Sequence, residues 1–128
     1  MSYILFIRTA AFSMGLILVF FAAIQLNDVD PEFWVLLYSL CALVPFMISF
    51  NRYSVRLFWL CMGMGLGALT LTAHGTFTYI VHFAGEESLI QGMSDDKPYI
   101  EETREFIGTV VALVIVFASE RLRTSKTG

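Results

Sequence analysis

Long apolar runs alternate with short polar knots along this chain. A helix needs roughly 20 mostly apolar residues to cross the hydrocarbon core of a bilayer. Four stretches approach that length: about 5–26, 33–50, 56–80 and 102–121. The third stays apolar from Val55 to Ala73 and continues more weakly to Phe83. The fourth has a clean run only from Phe106 to Ser119, so a full span must take in the charged turns around Arg104 and Glu105. No stretch alternates with the period of a barrel strand, and lipid offers no partner for an open backbone group. The pattern predicts an all-α fold, an integral membrane bundle of four transmembrane helices in one domain.

Composition agrees. Of 128 residues, 57% are hydrophobic and 15% charged, with a mean hydropathy of +0.72. So little polar surface suits a chain whose outer face is solvated by lipid. The same composition excludes nucleic-acid partners, because no basic patch is interleaved with aromatics. Arg8 before an apolar stretch resembles the start of a signal peptide, but the run is long for one, and a retained helix is expected.

Charge distribution adds direction. Arg8, Arg52, Arg56, Arg121, Arg123 and Lys126 fall at the N-terminus, the second connection and the C-terminal tail. Ten of the eleven acids fall in or beside the first and third connections, and Glu120 is the exception. The positive-inside rule then places both termini in the cytoplasm, with the chain in the inner or plasma membrane.

The densest polar knot is QLNDVDPEFWVLLY, Gln25 to Tyr38, between the first two spans. Asp30-Pro31 reads as a helix start: the carboxylate caps free N–H groups and proline takes the first helical position. Glu32 suits the positive end of the helix dipole. Asn27 and Asp28 are turn formers. Trp34 and Tyr38 are four apart and share a face, expected near the headgroups. Gln25 lies near the boundary and should seek a partner on another helix.

Gln25, Asn27, Asp28, Asp30-Pro31, Trp34 and Tyr38 resemble the signature of the transmembrane protein 220 family, Q-x-N-D-P-D-P-x-x-W-x-x-x-Y. Glu102, Arg104-Glu105 and Gly108 are similar to that family's later E-x-R-E-x-x-G region. Val29 departs from the pattern, standing where the family has proline. The resemblance covers nearly the whole chain. It implies a small multi-pass helical membrane protein and no particular activity.

Other features carry less chemistry. GMGLG at Gly63 to Gly67 lies inside an apolar helix with no preceding strand, so it is no nucleotide loop. Gly63 and Gly67 form a small-xxx-small pair expected to pack against another helix, in the bundle or between copies. Pro45 is expected to kink the second span. Cys41 and Cys61 read as small packing residues. His74 and His82 lie near or beyond the outer boundary without metal-ligand spacing, and a bis-histidine haem would need a second intramembrane histidine; no cofactor is expected and metal binding is left open. The acidic third connection, Gly85 to Tyr99, reads as a loop with room for a short surface helix around Glu86 to Gln91.

Two functions follow as expectations. The first is a non-enzymatic accessory or scaffold protein, packing laterally in a larger membrane complex or with copies of itself. The second is an ion or small-ligand site at the outer face, built from Gln25, Asn27, Asp28, Asp30, Trp34, Tyr38, Arg104 and Glu105. A lipid-directed enzyme has only those same polar residues to offer and ranks last.

Overall fold

The computed structural model describes residues 2–27, 31–83 and 98–127. Four long helices follow one another: α1 (Ser2–Ile24), α2 (Pro31–Ser49), α3 (Val55–Thr78) and α4 (Pro98–Thr127). A 3-10 turn, Gln25–Asn27, extends α1, and a π-helical turn, Tyr79–Phe83, extends α3. No strand occurs among the described residues. Pro31 opens α2 and Glu32 sits in its first turn, where missing N–H donors and the helix dipole favour them.

Among the described residues, three helical segments are long and apolar enough to cross a membrane: Tyr3–Ile24, Pro31–Ser49 and Val55–His82. The fourth expected span requires correction. Helix α4 is long at 30 residues, but Glu105 and Glu120 bracket an uncharged stretch of only 14 residues, 106–119. At about 1.5 Å per residue that stretch covers roughly 21 Å, short of a core about 30 Å thick. Composition alone therefore does not make α4 a span.

Helix α2 is central. Half of its apolar window is buried, against 22% for α1 and 28% for α3. Leu37, Cys41, Ala42, Val44 and Ile48 form its inward stripe and meet Ala11 and Leu18 of α1, Cys61 and Ala68 of α3, and Ala112 and Val116 of α4. The opposite faces of α1 and α3 remain apolar and exposed, as at Leu5, Phe20, Trp59 and Leu71. A hydrocarbon solvent suits such faces.

Helices α1 and α2 lie antiparallel and interlock through aromatic rings. Phe46 packs over Gly15, where a Cβ would overlap its ring. Phe12 meets Phe46 and Phe50 edge-on at 5.2 and 6.5 Å, and Phe21 meets Tyr38 at 5.6 Å. Helices α3 and α4 are joined differently, through glycines. Leu113 lies against Gly65 and Glu102 against Gly75. The glycines remove bulk where two helix axes approach.

The turn from α2 to α3 is tightly built. Asn51 takes a left-handed conformation, φ 61°. Its N–H donates to the Ile48 carbonyl at 3.0 Å, and the Arg52 N–H donates to that of Met47 at 2.7 Å. This is a Schellman termination, with asparagine in the position where only a few residue types are at ease. Ser54 then caps α3, its hydroxyl accepting the Leu57 N–H at 3.1 Å.

Candidate functional site

Residues from α2 and α4 meet in the half of the bundle farther from the chain termini. Tyr38 lies seven residues into α2 and Glu105 seven residues into α4, so each is about 10 Å along its helix. Tyr38 is buried, and its ring points at α4. Its hydroxyl sits against Gly108, where any Cβ would overlap it. It shares a hydrogen bond with the Thr109 side chain and lies beside the Glu105 carboxylate. The Thr109 hydroxyl donates its proton to the Glu105 carbonyl at 2.7 Å. Glu105 is half-buried, with Oε1 fully enclosed by protein.

A second carboxylate stands one turn earlier on α4. Glu102 leans onto α3 at Gly75, in space that a side chain at position 75 would fill. Thr72, Thr76, Thr103 and Thr109 are buried in the same half. Thr72 and Thr76 return their hydroxyls to carbonyls of their own helix, at 2.9 and 2.8 Å. Such back-bonding satisfies a hydroxyl without creating a binding group. The chemistry of this half rests on the two carboxylates and the Tyr38 phenol.

The expected site residues divide. Tyr38 and Glu105 come together. Trp34 and Tyr38 share a face, as expected from their spacing, and it is the inner one: both are buried. Trp34 stacks edge-on against Phe33 at 5.0 Å. Arg104 is exposed, so the arginine and glutamate of one dipeptide diverge, one outward and one inward. Gln25 is half-buried in the 3-10 turn, and among the described residues no hydrogen bond joins it to Tyr38 or Glu105. Asn27 belongs to the same turn. Asp28 and Asp30 lie outside the described residues, as does the expected surface helix around Glu86 to Gln91.

Gly63 and Gly67 do not pack inside the bundle. Both are exposed, and nothing lies within 4 Å of a Cβ placed on either. The glycine of that segment that does pack is Gly65, which faces Leu113. Sequence reasoning also missed Thr109 and Gly75. A glycine within HGTFT, flanked by residues of ordinary helix bulk, was the available signal for Gly75.

Among the described residues no three His, Cys, Asp or Glu side chains converge on one point. Cys41 and Cys61 are free thiols, both buried, which contact each other across α2 and α3.

Exposed apolar helix faces around a core that includes buried hydroxyls and half-buried carboxylates define a multi-helix membrane protein in contact with the lipid bilayer. The helical transmembrane family 220 matches residues 17–120, and the chain belongs to that family. The matched region contains both polar motifs, including Tyr38, Glu105 and Gly108. No match was found among curated proteins or among solved structures.

Proposed function

We propose that this protein binds a small cation or a hydrogen-bonding ligand of similar size in the outer half of its helix bundle, with Glu105 as the charged anchor. One observation carries the reading: Tyr38 from the first polar motif meets Glu105, Gly108 and Thr109 around the second. An ionisable group among transmembrane helices is costly to keep and is a functional candidate by default. Glu102 and the Tyr38 phenol supply further oxygen ligands nearby. An oxygen set with few carboxylates suits a hard monovalent cation or a protonated amine better than a transition metal.

In this reading the charged first turns of α4 are screened from lipid by α2 and α3. The basic ends face the cytoplasm of an inner or plasma membrane, and the polar half faces outward. Thermal unfolding of the detergent-solubilised chain, titrated with Na+, K+, Ca2+ and ethylamine, tests the proposal. At least one of these raises Tm, and Glu105→Gln removes that rise while Arg104→Gln keeps it. An unchanged rise in Glu105→Gln, or no rise with any of the four in the wild type, defeats the reading.

A scaffold or accessory subunit is the second reading. It is favoured by Gly63 and Gly67, which open a bare strip on the outer surface of α3. Such a strip admits close approach of another helix. Native mass spectrometry of the chain extracted gently from its membrane would then find it bound to another protein or to copies of itself, and Gly67→Leu would disperse that complex. A chain that emerges alone counts against this second reading.

A further inference from the structure

A groove of about 660 Å3 runs between α1 and α4 toward the end of the bundle that carries the termini. Met14, Phe117, Ala118, Arg121, Leu122 and Thr124 line it. Its volume lies in the range of sites that hold small molecules. Its chemistry is graded along α4. Phe117 and Ala118 come first along α4, and Arg121 lies about 5 Å nearer the helix end. One end of the groove is hydrocarbon and the other carries a guanidinium.

No carboxylate of the described residues neutralises that guanidinium. Arg121 is exposed and has no carboxylate partner among the described residues. Glu120 is the one acidic side chain that the sequence places at this end, and it is already engaged. Its Oε1 and Oε2 accept from Nη2 and Nε of Arg123 at 2.7 and 3.1 Å. Arg8, Arg52, Arg56 and Lys126 add further positive charge to the same end. The Thr124 hydroxyl donates to the Arg121 carbonyl at 3.0 Å, so its proton is not offered to a ligand.

We propose that this groove binds one anionic phospholipid, its phosphate on Arg121 and an acyl chain along Met14, Phe117 and Ala118. Charge complementarity selects an anion, and the apolar wall selects one that carries a hydrocarbon chain. Guanidinium–phosphate pairing supplies a directional bond at the charged end. Basic pockets between membrane helices are suited to acidic headgroups in this way.

Native mass spectrometry of the full chain, delipidated in detergent and titrated with phosphatidylglycerol or phosphatidylcholine, tests the site. One phosphatidylglycerol is retained in preference to phosphatidylcholine, and glycerol phosphate, which lacks the chain, is not retained. Arg121→Gln weakens phosphatidylglycerol about fivefold, the scale of one basic contact at a membrane surface. Arg52→Gln removes a charge at the same end outside the groove and leaves the affinity unchanged. Ala118→Trp fills the groove with every charge intact and abolishes retention. Equal retention of the two lipids overturns the proposal, and that comparison needs no variant. So does retention that survives Ala118→Trp, or equal weakening by Arg52→Gln and Arg121→Gln, which would indicate a diffuse field rather than a site.

Discussion

The two ends of the bundle use the same kinds of polar side chain to opposite effect. At the end near the termini, charges face outward and bond across short gaps. The Arg123 guanidinium lies 3.8 Å above the Tyr53 ring and forks onto Glu120. Arg8 of α1 donates through Nε to the Ser49 carbonyl at the last turn of α2, at 2.7 Å. That contact places a cation at a helix C-terminus, where the dipole favours it. At the far end, Tyr38, Glu102 and Glu105 turn inward, and glycines at positions 75 and 108 make room for two of them. Polar groups at a wet surface hold elements together for little free energy. The same groups inside a bundle are costly unless satisfied, and they specify which faces meet.

The contrast can be broken most severely at the inner glycines. Gly108→Ala drives a Cβ onto the Tyr38 hydroxyl, and Gly75→Ala drives one onto Glu102. Each is expected to cost about 1–3 kcal/mol, the usual scale of overpacking. Unfolding titrations in mixed micelles measure it. A smaller loss follows Tyr38→Phe, which deletes the hydroxyl that meets Thr109 and leaves the ring contact with Phe21. Roughly 0.5–1.5 kcal/mol is expected in the same assay, the worth of one hydrogen bond.

The wet end responds to acid instead. Hydrogen bonds from Arg123 hold the Glu120 carboxyl below its ordinary value of 4.5, against the opposing effect of burial and with help from Tyr53. A group with a depressed folded pKa stabilises above its unfolded pKa and loses that contribution as pH falls. Thermal stability should therefore decline as pH drops below about 4.5, and Glu120→Gln should remove that part of the slope. At the other extreme of pH, burial and the bond to Glu120 push the Tyr53 hydroxyl up from 10.0. Its contribution is lost as pH rises through that raised value. The least effect is expected at Gly67→Ala. Nothing surrounds that position, so the change falls within about 1 kcal/mol and favours the helix through backbone entropy. A large loss there in detergent-dispersed monomer would contradict the outward placement of the glycine strip.

Much of this architecture is legible in the order of residues. Apolar length marks α1, α2 and α3, Pro31 marks the start of α2, and the clustering of acids separates the polar half from the basic end. The likeness of both motifs to transmembrane family 220 was legible as well. Rotation of each helix about its axis was not. In a soluble helix the polar face reveals the buried one, but here the lipid-facing side is as apolar as the core. Trp34 and Tyr38 gave no sign in sequence of facing inward, and the choice of Gly65 over Gly63 and Gly67 depends on where Leu113 arrives from α4. Thr109 was invisible for the same reason, since its role is set by a phenol from another helix.

Helix α4 has a short uncharged stretch with charged groups before and after it, and its own apolar length would leave it free to slide along its axis. Three sockets prevent that. Glu102 enters α3 at Gly75, Leu113 enters it at Gly65, and Tyr38 of α2 closes on Gly108 between them. The two α3 contacts fix height, and the α2 contact fixes rotation. The height at which α4 presents its charges along the bundle is thus keyed by its neighbours.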